Sequence, residues 1–267
     1  MSQQSALELP PVWEKSSPPF SIQKNNPKGT FIVFEGCDCC GKGTQLARTK
    51  DWLESLGKEV VVCSDPGTTQ LGSELRKLLK NKNLPMNTEA QILLFTACRS
   101  ELSSEIILPA LAENKIVLCD RFLYSTLIYQ CFAKSEQQID NLLALNQMDN
   151  AADLMSTVWF GMKHIVDLHK NCQCAIPDLT LIFDISSEQY NQRRSSGRSG
   201  ENDRFENDSK ESIQFMEYVR RGYRYCFDKM SKGSFSLGTN RLLNGNRSVD
   251  EVFADTSKII SRFLRTE

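Results

Sequence analysis

Three groups of residues combine side-chain type and spacing in a way that suits phosphate chemistry. The first is Gly36-Cys37-Asp38-Cys39-Cys40-Gly41-Lys42-Gly43-Thr44. Glycines at 36 and 41 let the backbone wrap an anion, the amides of a following helix would face it, and Lys42 adds positive charge. This is a P-loop pattern for the phosphates of ATP, with one departure: position 43, normally the Ser or Thr that holds Mg²⁺, is Gly, and the hydroxyl arrives one residue later as Thr44. The second group is Asp120-Arg121, a carboxylate able to hold hydrated Mg²⁺ beside a guanidinium fork able to clamp phosphate. The third is the polar stretch 193–206, where Arg193, Arg194 and Arg198 with Gly197 and Gly200 read as a lid that closes over ATP and brings a guanidinium to the transferring phosphoryl group.

Cys37, Cys39 and Cys40 fall inside the first group, but a tetrahedral zinc site needs four converging ligands, and here the backbone must wrap phosphate instead. They read as small side chains tolerated in a tight loop. Cys172-x-Cys174 with His169 is a sparse metal pattern and reads as loop or core. The ten cysteines are spread through apolar stretches, as at Cys63, Cys98, Cys119 and Cys226, which predicts reduced and mostly buried thiols, not a disulfide framework.

These groups need a scaffold that brings them together. Thr30-Phe31-Ile32-Val33-Phe34-Glu35 is short, β-branched and aromatic and ends at Gly36, so it reads as a buried parallel strand followed by a helix over 44–56. Further strands are predicted at 59–63, 116–119, 179–184 and near 241–243; helices are predicted over 70–81 and 88–113, from the lid to residue 232, and from 249. The segment 131–176 holds amphipathic pieces interrupted by Gly and Asn and reads as an insertion. Alternating strands and helices predict an α/β fold: a P-loop NTPase-type parallel sheet of about five strands, flanked by helices on both faces in three layers. Ligands of such sheets sit beyond the carboxyl ends of the strands, where all three groups fall. Residues 1–29, rich in Gln, Ser, Asn and Pro, predict a loosely ordered extension ahead of a single domain over 30–267.

With 267 residues, 40% of them hydrophobic and 24% charged, the chain can bury a full core, and wholesale disorder is excluded. A net charge of −1 gives no general attraction to nucleic acid or anionic membrane. No apolar run approaches the roughly 20 residues that span a bilayer, and the N-terminus lacks a basic-then-apolar leader. A cytoplasmic protein with small-molecule partners is expected, without nucleic-acid or membrane partners.

Taken in order, Phe31-Ile32-Val33-Phe34-Glu35-Gly36-Cys37-Asp38, Asp65-Pro66-Gly67-Thr68 with Gly72-Ser73-Glu74-Leu75-Arg76, Leu93-Leu94-Phe95-Thr96-Ala97-Cys98-Arg99, Cys119-Asp120-Arg121-Phe122 with Ser125 to Gln130, Pro177-Asp178-Leu179-Thr180 and Asp203-Arg204-Phe205-Glu206 resemble the motifs of the thymidylate kinase family. The resemblance covers residues 29–262 and implies transfer of the ATP γ-phosphoryl group to dTMP, giving dTDP and ADP, with Mg²⁺ and in a homodimer. It implies Phe95 on the thymine ring, Arg99 on a base carbonyl, Arg76 and Arg121 on the acceptor phosphate, Asp38 on the sugar 3′-hydroxyl, and Tyr129 against the 2′ position. Asp65, Ser125, Thr126 and Gln130 complete the implied pocket. Since positions 37–40 carry no Arg, the lid residues Arg194 and Arg198 are the implied catalytic cations, as in bacterial-type members. Three features depart from the family pattern: Cys63-Ser64-Asp65-Pro66-Gly67 stands where bacterial relatives carry Thr-Arg-Glu-Pro-Gly, the segment between Gln130 and Pro177 is long, and residue 43 is Gly. Two other readings stay open on sequence alone: a kinase of another deoxynucleoside monophosphate or of a deoxynucleoside, and a non-catalytic nucleotide-binding regulator.

Overall fold

The computed structural model describes residues 29–144, 148–196, 210–230 and 237–265. Strands β1 (Thr30–Gly36), β2 (Val60–Ser64), β3 (Ile116–Asp120), β4 (Leu179–Asp184) and β5 (Thr239–Asn244) form one parallel sheet in the order β2-β3-β1-β4-β5. Every residue of β1 and β4 is buried, as their unbroken apolar runs require in a sheet covered on both faces. Asp178 locks their register at the entry: its carboxylate accepts from Phe31 N at 2.7 Å, and its own amide donates to Phe31 O at 2.8 Å. At the exit, Phe34 pairs with Asp120, so Gly36 and Arg121 leave the sheet side by side.

Two sets of helices cover the sheet. α1 (Lys42–Ser55) and α10 (Val249–Arg265) pack on each other, α1 also on β1, β2 and β3 and α10 on β5. The second set comprises α3 (Thr88–Leu102), α4 (Leu108–Ala112), α5 (Leu123–Thr126), α6 (Ala133–Ala144), α7 (Met148–Asn171) and α9 (Lys210–Met230). α2 (Gln70–Lys80) lies on α3, and α8 (Ser187–Ser195) on α9. A π-helical turn, Ser103–Ile107, joins α3 to α4 where Pro109 contributes no amide to the ladder. A second, Leu127–Phe132, joins α5 to α6.

The described part of the 131–176 segment is mostly an antiparallel pair of helices, α6 and α7, whose faces meet. Gly161 marks a close approach, since a Cβ there would stand 3.0 Å from Cys131 Sγ. The extension up to residue 28 and lid residues 197–206, including Arg198, lie outside the described residues; Arg193 and Arg194 form the last turn of α8.

His169, at the end of α7, is fully buried: Nε2 donates to Ala175 O at 3.0 Å and the ring stands edge-on to Phe122 at 5.6 Å. Among the described residues no cluster of three or more potential ligands includes it, and Cys172 is exposed while Cys174 is buried, so the Cys172/Cys174/His169 set serves the loop and core. Burial, with the nearby Arg99 charge, pushes the imidazole from its ordinary 6.5 down to about 3. The unfolded chain therefore binds a proton that the folded chain refuses, and stability should fall as pH drops below the ordinary value. Urea unfolding between pH 6.5 and 5 should show this loss, and His169→Gln should flatten the slope by up to about 1.4 kcal/mol per pH unit; an unchanged slope would refute a neutral buried imidazole.

Candidate active site

β1 runs into the loop at Gly36, where φ is 145° and a Cβ would lie 2.6 Å from Phe183 O and 2.8 Å from Cys40 Sγ. Only glycine passes there. Gly41, φ 90°, stands ahead of α1 without a side-chain hydrogen bond, and the first turn of α1 holds no acidic residue. By contrast, Thr69, Asn87 and Ser186 accept from the first-turn amides of α2, α3 and α8. The amides opening α1 are thus left for an anion. They face a cleft of about 400 Å³ lined by the loop, Thr44, Asp120, Arg193, Arg247 and the start of α10.

Gly43 lies in this cleft wall, and a Cβ there would meet nothing within 4 Å, so the fold itself does not require glycine. Asp120 Oδ1 is buried with no hydrogen-bond partner among the described residues. A bare carboxylate oxygen and the Thr44 hydroxyl on one cleft are the oxygen donors a hard divalent cation takes, so the residues present fit Mg²⁺.

A second cavity, about 100 Å³, has an apolar side formed by Pro66, Leu79, Phe95 and Phe122 and a polar side formed by Asp65, Arg76, Arg121, Ser125, Thr126, Tyr129 and Gln130. Tyr129 and Gln130 come from the π-helical turn. Asp38 lines both cavities. Its Oδ1 pairs with Arg121 Nη2 and stands 3.9 Å from Lys42 Nζ, and its Oδ2 accepts from Tyr129 Oη at 3.2 Å. Burial raises the Asp38 pKa, but Arg121 and Lys42 outweigh it and hold the carboxyl below its usual range, so Asp38 is ionised at neutral pH. Arg121 itself sits at φ 65°, with Nη1 donating to Gly36 O at 3.1 Å and Ser125 Oγ at 3.2 Å.

The remaining expected residues take graded positions. Arg76 lines the acceptor cavity and donates to Pro66 O at 2.9 Å. Arg99 lies behind the cavity wall, fully buried, donating from Nε to Asp65 Oδ2 at 2.8 Å and from Nη2 to Thr126 Oγ1 at 2.5 Å; its Nη1 has no partner among the described residues. Arg193 donates to Cys39 O at 3.2 Å and Gly245 O at 2.6 Å, tying the phosphate loop to the opposite wall of the cleft. Arg194 rests on Tyr190, with Nη1 3.3 Å from the hydroxyl.

Sequence reasoning missed Glu35 and Tyr223. Glu35 is completely buried; Oε1 accepts from Phe122 N at 2.8 Å and Ser125 N at 3.1 Å, and Oε2 from Ser125 Oγ and Tyr223 Oη at 2.7 Å each. Burial raises its pKa despite Arg121 and these donors. The carboxylate caps α5 from another element and fixes Ser125, which in turn bonds Arg121. A lone acid in an apolar strand was the available signal; nothing local marked Tyr223. Tyr223→Phe should cost about 1–3 kcal/mol in urea unfolding and raise KM for the acceptor more than KM for ATP; equal shifts, or none, would leave Tyr223 a packing residue.

A phosphate-wrapping loop at the end of β1 in a five-stranded parallel sheet, sharing a carboxylate with a second cavity that has an apolar side and a polar side carrying Arg76 and Arg121, defines a P-loop phosphotransferase. Residues 34–149 match the family model described as thymidylate kinase. The thymidylate kinase of Thermoanaerobacter sp. (strain X514) is 30% identical across 89% of this chain and 100% of its own length. That of Pelotomaculum thermopropionicum is 37% identical across 73% and 79%. The crystal structure of thymidylate kinase from Ehrlichia chaffeensis aligns with a TM-score of 0.60 at 25% identity, over 88% of this chain and 99% of that one. The chain belongs to the thymidylate kinase family. Among the described residues no helix is long and apolar enough to cross a membrane.

Proposed function

We propose that this chain transfers the γ-phosphoryl group of ATP to dTMP, giving dTDP and ADP, with the two cavities as donor and acceptor sites. The observation that carries the reading is Asp38, an ionised carboxylate in the wall common to both, held by Arg121 on the acceptor side and near Lys42 on the donor side. The loop from Gly36 to Thr44 cradles the donor phosphates through the amides opening α1, with Lys42 adding charge. Mg²⁺, held by Asp120 and Thr44, would neutralise donor-phosphate charge when bound.

On the acceptor side, thymine lies against Phe95, and Thr126 and Gln130 complete its polar edge. Arg99, behind the wall, fixes Asp65 and Thr126, two of the residues that line the base side of the cavity. Arg76 and Arg121 hold the acceptor phosphate; Asp38 accepts the 3′-hydroxyl, and Tyr129, bonded to Asp38, fills the 2′ side. No general base is needed, since the attacking phosphate is already anionic, so catalysis is positioning and charge neutralisation. Arg194 and Arg198 supply the cation for the transferring group.

The enzyme acts in the cytoplasm, as a homodimer and without nucleic acid; the exposed Leu71 and Leu78 of α2 with Leu93 of α3 support the dimer, and the net charge of −1 supports the small-molecule role. A coupled ADP assay across dTMP, dUMP, dCMP, dAMP and thymidine should give the highest kcat/KM with dTMP; faster turnover of any other acceptor would overturn the assignment. Phe95→Ala should raise KM for dTMP on the order of tenfold with KM for ATP unchanged, and a chelator should abolish turnover.

A further inference from the structure

Tyr129 fills the 2′ side of the sugar in the acceptor site proposed above, so the selectivity of that wall depends on what holds its ring in place. We propose that Phe215, on α9, is a positioning residue that fixes the Tyr129 ring and thereby sets the preference for deoxyribose over ribose. Tyr129 lines the acceptor cavity from the π-helical turn and keeps only 7% of its surface exposed. Three contacts support it. The hydroxyl donates to Asp38 Oδ2 at 3.2 Å, the Arg121 guanidinium carbon lies 5.1 Å from the ring centre, and the Phe215 ring stands 6.3 Å away at 63°, an edge contact. The first two supports are shared with the substrate, because Asp38 turns to the 3′-hydroxyl and Arg121 to the acceptor phosphate. Of the three, Phe215 is the one for which the acceptor does not compete.

Phe215 can serve as a fixed stop because its own helix is anchored. Phe215, Val219 and Tyr223 recur at i, i+4 and i+8 and so form one stripe of α9, with Val219 and Tyr223 buried. Tyr223 Oη donates to Glu35 Oε2 at 2.7 Å, which ties the stripe to β1. One residue on, Arg224 donates from Nε at 3.0 Å and from Nη2 at 2.6 Å to Asp184 Oδ2, which ties the helix to the end of β4. Phe215 itself is partly buried against the core.

Ribose differs from deoxyribose by one oxygen, and a ring that cannot retreat must overlap it. Overlap in a packed wall is unfavourable because side chains there have no free volume to move into. Truncating Phe215 leaves a space beside Tyr129 that the surrounding structure refills only in part. The Tyr129 ring then swings toward α9 and makes room for the 2′ oxygen, while Asp38, Arg76 and Arg121 stay in place for the rest of the nucleotide. The deoxynucleotide loses little and the ribonucleotide gains.

The test measures binding of dUMP and UMP, which differ only at the 2′ position, to the full chain by calorimetry. The wild type should bind dUMP more tightly, on the order of tenfold to a hundredfold. Phe215→Ala should shrink that preference on the order of tenfold, chiefly through tighter UMP binding, and Phe215→Leu, which keeps the contact filled, should retain most of it. Phe227→Ala, near the other end of α9 and packed on the same core, is the control for a loosened helix and should keep the wild-type ratio. Equal weakening of both nucleotides in Phe215→Ala, an unchanged ratio, or the same loss of preference in Phe227→Ala would each overturn the proposal. It rests on reading Tyr129 as the wall of the 2′ side, and the two fail differently. A wild type without preference sinks that reading and the proposal with it, whereas a preference that survives Phe215→Ala sinks only the role of Phe215. Binding needs no phosphoryl transfer, so a failed dTMP turnover assay leaves both measurable.

Discussion

Arg121 occupies the junction where β3 ends beside β1, in a left-handed backbone conformation that swings its side chain across the end of the sheet. Its guanidinium reaches Asp38, Gly36 O and Ser125 Oγ, so one side chain joins the donor loop, the strand end and the first turn of α5. Two cations, Arg121 and Lys42, share the single carboxylate of Asp38. The surplus positive charge favours phosphate on both sides, and an arriving acceptor phosphate takes up the guanidinium that Asp38 holds in its absence.

Behind this pair lie two buried carboxylates, each fixed by donors from distant segments. Glu35 gathers α5 and α9, and Asp65 gathers α3 through Arg99. Burial raises Glu35 and Asp65, and their hydrogen-bond donors and neighbouring arginines offset that cost. Removing one partner would leave a buried charge uncompensated, which costs more than the bond itself contributes. The two hold the cavity walls before any ligand arrives, and α9, the helix following the lid segment, is tied through Tyr223 to the carboxylate that positions Arg121.

Most of the scaffold was legible in the sequence because its signals are local. The strand ends lie within one or two residues of the β-branched runs, and the glycines at 36 and 41 stand where positive φ is required. The donor loop and Asp120 line one cleft, Arg121 and Phe95 line the second cavity, and Asp38 lines both. What could not be read is long-range. The segment 131–176 gave mixed periodicity because the π-helical turn shifts the buried face of the helix and Gly161 serves a contact with Cys131, not a break. The partners of Arg193 are backbone carbonyls of Cys39 and Gly245, at sequence separations that no spacing reveals. Glu35 bonds residues at sequence separations of 87 and 188, and its role follows only from the fold.

The dependence of both sites on the Asp38–Arg121 pair is open to direct measurement by a double-mutant cycle, taking Asp38→Ala, Arg121→Ala and the double variant and reading kcat/KM for dTMP. Coupling of at least about 1.5 kcal/mol, more than tenfold away from additivity, is the expected result. Effects that add within about 0.5 kcal/mol would show the two residues acting independently and contradict the account.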